Sequence, residues 1–343
     1  MSWFYIVVSI LGLALLMVVH ESGHLLAARA FGMRVNKFSI GFGPALWRHQ
    51  PQGSDTVYQI ALVPFLAYVQ IAGMNPLEEV DPDDKGSYAN ATLPARVSAI
   101  FAGPLANYLF ASVLFFSAFM VGGKQVPTTQ VEVMADGAAK AAHIQNRDRI
   151  IAINGARIKN WDHLRAMILK SAKRKLSIEV ERGQKRLTFE VTPEPKAENG
   201  GGQIGVRPIE ATVPMSFREA AVDSVVMPAR VVQLLVVSLG QIVTGKAKPQ
   251  LTGPVGIALQ AKRAAESGAA ELLALLGLLS AYLGGFNLVP FPALDGGRLM
   301  FLGYEAVTRR RPDARVEAHV HAVGLLMLFV LIFVVTVFDI RGN

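Results

Sequence analysis

His20-Glu21-Ser22-Gly23-His24 follows directly on Met1–Val19, a run that holds no charged residue. A helix of about 20 apolar residues crosses the ~30 Å hydrocarbon core of a bilayer, so the motif stands at the end of a candidate span. Ionisable side chains at that depth cost at least ~2.5–3.5 kcal/mol each on insertion scales, which makes them a functional signal by default. The spacing is H-E-x-x-H. On a helix, positions i and i+4 share a face with Cβ atoms roughly 5–6 Å apart, close enough for two imidazoles to meet one zinc ion. Glu21 then stands beside the metal as general base for a water molecule. A packed core histidine and a buried His–Glu couple are the plainer readings, but neither accounts for the whole motif at the end of a span.

Hydrophobic residues make up 52% of the 343, and mean hydropathy is +0.36, both high for a soluble chain. Uncharged runs at Met1–Val19, Val97–Gly123, Leu272–Leu294 and Ala322–Phe338 predict four transmembrane helices. A run between Arg230 and Lys246 is shorter and carries Gln233, Ser238 and Gln241. It reads as an interfacial or half-buried helix. The first run lacks a basic start and leads into a histidine-bearing helix, so it reads as a retained span and not a cleaved signal. Cysteine is absent, which removes thiolate ligands and disulfides alike.

Lys and Arg near the span ends set the orientation. The connection after the first span carries Arg29, Arg34, Lys37 and Arg48, and the one before the last carries Arg309-Arg310-Arg311 and Arg315. Both should face the cytoplasm, which leaves the N-terminus and 124–270 on the outer side. The formal charge of +8 belongs to these loops and to a solvated basic face. Without a nucleic-acid motif it does not point to nucleic acid, and the lipid bilayer is the expected partner.

A catalytic zinc wants three protein ligands and one open position. His49, His143, His163, His319 and His321 remain, and the last two, spaced i, i+2, point to different helix faces. Asp295 closes Asn287-Leu288-Val289-Pro290-Phe291-Pro292-Ala293-Leu294-Asp295-Gly296-Gly297, where two prolines must break the third span. It could simply N-cap the helix that begins at Gly296. In a four-span chain, however, the first and third spans run the same way, so Asp295 and His24 lie at one depth. Asp295 is therefore the favoured third ligand.

His20–His24, Phe101-Ala102-Gly103-Pro104-Leu105-Ala106-Asn107 and Asn287–Gly297 resemble the three signatures of the site-2 protease family of intramembrane zinc metalloproteases, in its bacterial RseP-like branch. The resemblance covers nearly the whole chain, including Leu251–Ala258. It implies one zinc per chain on His20, His24 and Asp295, with Glu21 as catalytic base. The substrates it implies are single-span membrane proteins, such as anti-sigma factors or signal-peptide remnants, cut within or near the transmembrane segment. Asn287 is implied to meet the substrate backbone or the developing oxyanion. Pro290 and Pro292 open the third span beside the metal and complete the substrate-binding set. Gly103 and Asn107 read as close packing of the second span.

Outside the membrane core, Val131–Met134, Ile150–Ile153, Leu176–Glu181 and Leu187–Val191 are strand-like, with Asn154-Gly155 and Arg182-Gly183 as turns. Asn160 is a candidate N-cap for a helix over Trp161–Ser171. The order, and Asp148–Gly155 in particular, resembles a PDZ domain. The namesake of that branch carries two in tandem, whereas this chain has room for one. Such a domain could bind peptide ends or outer-domain segments by strand addition, or only block access to the membrane core. Pro193–Gly202 reads as a flexible linker after it. On the other side of the membrane, Tyr58–Val69 is apolar and β-prone but interrupted by Pro64. In the resembling family it is a re-entrant β-loop that presents backbone groups to the substrate; an ordinary cytoplasmic hairpin is the alternative.

The expected architecture is a polytopic α-helical membrane protein of four transmembrane helices, with a re-entrant β-loop and an inserted α+β PDZ-like domain. Its divisions fall at 1–123, 124–195, 196–270 (linker and interfacial helices) and 271–343. Two other classes compete. A metal or ion transporter would more often show internal repeats, and none is found. A non-proteolytic PDZ membrane scaffold would not need Glu21.

Overall fold

The computed structural model describes residues 2–195, 200–247 and 252–342. The chain divides into two compact units, Met1–Gly122 with Ser216–Asn343, and Gly123–Met215.

The first unit is built on helices that are apolar on every side, so what packs them is small residues and not an amphipathic stripe. α1 (Ser2–Ala30) crosses α2 (Leu93–Gly122) where a Cβ on Gly23 would collide with the Ala102 carbonyl. Between them lie β1 (Val35–His49) and β2 (Val57–Ile71), an antiparallel pair. Both strands bend, β1 at Gly41 and Gly43, whose φ values of 96° and 94° suit glycine alone. Residues 35–40 then have partners on two sides, since Phe38 faces both Val69 and Tyr58. The ladder therefore reads 45–49, 57–61, 35–40, 67–71, with 67–71 as one outer run. Phe42, Leu46, Trp47 and Leu62 are exposed on the hairpin.

The second unit contains β3 (Lys124–Val133), α3 (Ala138–Ala141), β4 (Arg149–Ile153), β5 (Ala156–Arg157), α4 (Trp161–Leu169), β6 (Leu176–Arg182), β7 (Lys185–Val191), β8 (Glu194–Pro195), β9 (Gly202–Gln203) and β10 (Val206–Val213). Its sheet order is β10-β3-β4-β6-β7, with β5 on β4. The strands read from the sequence are β3, β4, β6 and β7, and Asn160 caps α4 by accepting the His163 N–H. The boundary at 195 is corrected. β8 pairs with β9, β10 pairs with β3, and Ile204 is buried in the same core as Val131, Ile150, Leu164 and Ile178. The expected linker is thus partly a ladder inside the unit; its residues 196–199 lie outside the described residues. β10 was missed because Pro208 interrupts an otherwise strand-like run.

The first unit resumes with α5 (Phe217–Val243), α6 (Pro254–Ser267), α7 (Ala269–Asn287), α8 (Asp295–Thr308) and α9 (Ala314–Gly342). Among the described residues, five helices are long and apolar enough to cross a membrane: α1, α2, α5, α7 and α9. Phe4, Leu11, Leu26, Leu326, Phe333 and Phe338 stand exposed on them, as side chains facing lipid do. The chain is a multi-pass membrane protein. The fifth helix differs from the short interfacial one expected over 230–246, because α5 starts at Phe217. Arg218, Glu219, Asp223 and Arg230 had broken the charge-free run. Ser216 and Glu219 close a capping box at its start.

Candidate metal centre

His20 and His24, one turn apart on α1, are buried to 5% and 4% exposure. Their Nε2 atoms lie 3.2 Å apart, and each faces Oδ2 of Asp295, at 3.1 Å and 3.3 Å. An ion ~2.0–2.1 Å from three corners of a tetrahedron would set those corners roughly 3.3 Å apart, so the triangle has the size that zinc requires. Apart from these two imidazole nitrogens, Oδ2 of Asp295 is buried with no hydrogen-bond donor, as an oxygen reserved for a cation would be. Asp295 does not cap its helix. It is the first residue of α8, after an N-cap at Leu294 that makes no side-chain bond.

Three elements aim the donors. His24 Nδ1 lies 2.8 Å from the Ala99 carbonyl on α2, an acceptor only, so the proton sits on Nδ1 and the lone pair on Nε2 faces the centre. Gly103 on α2 lies against that ring, and any Cβ there would collide with His24 Nε2. The turn from α7 to α8 is held by α9. Ala293, strained at φ 72°, donates its N–H to Nδ1 of His321 at 3.1 Å, and Gly324 leaves room for Pro292. The remaining histidines stand apart, His49 stacked on Trp47 in β1, His319 against the Arg315 carbonyl on its own helix α9, and His143 and His163 in the other unit.

Glu21 follows His20 on α1. Its Oε2 accepts the Val69 N–H at 2.9 Å, so the carboxylate is tied to the outer run 67–71 of the hairpin. Asn287 ends α7 and donates Nδ2 to Leu283 of its own helix at 3.0 Å. Pro290 and Pro292 line a mainly apolar cavity with Met300, Tyr304, Val316 and Val320. The structure brings together the donors and the base expected from the sequence, with Val69, Gly103 and His321 around them as supports that the sequence reading did not assign. Gly103 and Val69 lie in stretches the sequence singles out, as span packing and as a β-loop, but the support each gives the centre acts across elements and is not marked locally.

Two histidines and a carboxylate within a metal's reach, with a second carboxylate beside them among apolar helices, define a membrane-embedded zinc metallopeptidase. The chain belongs to peptidase family M50, whose sequence profile it matches over residues 8–331. It is 31% identical to the zinc metalloprotease RasP of Geobacillus kaustophilus, with 95% of each chain covered. It is 32% identical to the putative zinc metalloprotease all3971 of a Nostoc species, over 92% of this chain and 90% of that one. Identity to the regulator of sigma-E protease RseP of Salmonella typhimurium is 28%, over 94% and 95%. That last alignment runs over 429 positions against 343 residues here, so RseP carries inserted segments.

Proposed function

We propose that this protein hydrolyses a peptide bond within or near the transmembrane segment of single-span membrane proteins, with one zinc held by His20, His24 and Asp295. The observation that carries the reading is the 3.1–3.3 Å triangle of donors, with Glu21 fixed beside it on the edge of a β-hairpin. Zinc, when bound, supplies a Lewis acid that brings water into the range of a weak base. Glu21 takes the proton of the attacking water and returns it to the leaving amine. A peptide bond inside a substrate helix is shielded by its own hydrogen bonds, so it must be extended before attack. The run 67–71 is the edge on which an extended strand can pair, and Val69 places Glu21 at that edge. Asn287, by releasing Leu283, can turn Nδ2 to the substrate carbonyl. The cavity at Pro290 and Pro292 takes an apolar substrate side chain.

Four crossings fit the packing of the first unit. α1 and α7 bring their C-terminal ends to one site and so run parallel, and α2 makes one passage back. Residues 123–268 must then hold no further crossing or two. α6, at 14 residues, is about 21 Å long, too short for the second. α5 lies beside Phe116 at its start and Gly285 further on, and on a four-crossing path it enters the bilayer without adding a net passage. Basic residues at 29–48 and 309–315 put the hairpin inside and the N-terminus and second unit on the periplasmic side. The exposed Phe42, Leu46, Trp47 and Leu62 support a hairpin that re-enters the membrane over one in water. In the second unit, a groove lined by Trp161, Ile168, Ile204 and Val206 lies beside edge strand β10, which supports a single PDZ-like domain that takes peptide segments by strand addition.

Glu21→Gln should keep zinc and abolish cleavage, whereas Asp295→Ala should lose both. Zinc content and cleavage of a single-span substrate check this. Full proteolysis by Glu21→Gln would overturn the assignment of the base.

A further inference from the structure

The ring of His20 shows a mismatch at its far side. Nε2 faces Asp295 and His24, so that nitrogen must give its lone pair to a metal, and the proton must then sit on Nδ1. Nδ1 lies 3.2 Å from Nδ2 of Asn107 on α2. An amide N–H₂ facing a ring N–H is two donors with no acceptor. The contact as it stands is a hydrogen bond only if Nδ1 is bare and Nε2 carries the proton, which Asp295 at 3.1 Å would then accept. That arrangement suits a metal-free site and no other. Meanwhile Oδ1 of Asn107, in a side chain with 0% exposure, has no partner. Rotating the amide by 180° exchanges Oδ1 and Nδ2 without changing the side chain's shape.

We propose that Asn107 is a positioning residue for His20: in the zinc-loaded protein its amide is turned so that Oδ1 accepts the His20 Nδ1–H. This fixes the ring's tautomer and its aim. His24 has the same support from the Ala99 carbonyl, so both imidazoles are held through α2 by an outer acceptor. Asn107 is itself fixed from the third side. Ser280 on α7 donates to its backbone carbonyl at 2.9 Å, and a Cβ at Gly284 would sit 3.3 Å from its own Cβ. The second-span motif thus reaches the metal through Asn107 and not only through packing.

The inference rests on His20, His24 and Asp295 being the ligands. It is tested on the full-length, detergent-solubilised protein, by zinc affinity in chelator competition and by the visible spectrum of the cobalt-substituted site. Asn107→Leu, of similar size without an acceptor, should bind zinc roughly 10–100-fold more weakly and alter the cobalt spectrum. Asn107→Asp, which keeps the acceptor, should restore both, a rescue that packing alone does not give. If the leucine variant fails to accumulate, Asn107→Ala, which adds no bulk, is read in its place. Parental affinity and spectrum in the acceptor-less variant would overturn the proposal, as would an aspartate variant no better than it. His20→Ala separates the two levels. Zinc retained there refutes the ligand set itself, whereas zinc lost there and kept in Asn107→Leu refutes only the role of Asn107.

Discussion

Gly103 contributes no donor, yet the centre depends on its lacking a side chain. A Cβ at this position would occupy the space of His24 Nε2, the atom that must face the metal. Gly103→Ala should therefore lose zinc about as badly as the change of an outer-sphere partner, roughly 10–100-fold in affinity. Gly303→Ala in α8, where an added Cβ meets open space, should leave zinc binding unchanged. Zinc titration of the two variants against the parent checks the pair, and normal affinity in Gly103→Ala would show that α2 can retreat from α1. The contrast marks what the sequence could disclose at this scale. His20, Glu21 and His24 are legible because one helical turn dictates their meeting, and Asp295 because span direction sets its depth. Gly103, Val69 and His321 reach the centre across separations that no local periodicity encodes.

In the second unit, one ion pair holds the sheet to the turn before β4. Asp148, 1% exposed, takes two bonds from Arg182 at 2.8 Å and the Gln145 N–H at 2.8 Å. Burial alone would raise the Asp148 carboxyl, but the Arg182 guanidinium and the Gln145 N–H outweigh it and hold it below the ordinary carboxylate range. A carboxyl lowered in the folded state stabilises the fold above its unfolded value of ~3.9, and that contribution fades as pH falls through the folded value. At pH 7, Asp148→Asn should thus loosen the unit by about 1–3 kcal/mol, given that Arg182 is partly exposed. Below pH 4 the gap between variant and parent should close. Hydrogen exchange of 149–153 and 176–182 in the full chain, at both pH values, reads this, and a gap that persists in acid would place the stability elsewhere. At this scale strands with clear alternation and capped helices were legible. α5 was not, because charges that break an apolar run do not break a helix, although Ser216-Phe217-Arg218-Glu219 carried the signal of its start. Nor was β10, whose partner β3 lies some eighty residues earlier.

The path of the whole chain makes the second unit removable. β3 and β10 are paired along their length, with Lys124 opposite Val213, and Cα atoms paired in this way are about 4.5–5.5 Å apart. The chain therefore leaves for this unit and returns from it at neighbouring points. Excising 124–213 and joining Gly123 to Pro214 should leave the helices undisturbed. A cut at 124–195, which the sequence boundary would suggest, leaves Ile204 without the core that buries it and β10 without its partner strand β3. Every residue of the proposed centre lies in the other unit, so the excised enzyme should hold one zinc and cleave a short single-span substrate. If the unit screens substrates by size, its loss should also admit a substrate whose outer domain is intact. Cleavage of one substrate with and without that domain, by both enzyme forms, decides the matter. Equal selectivity in the two forms removes the screening role, and an excised protein that no longer holds zinc would mean that the membrane unit needs the second unit to fold.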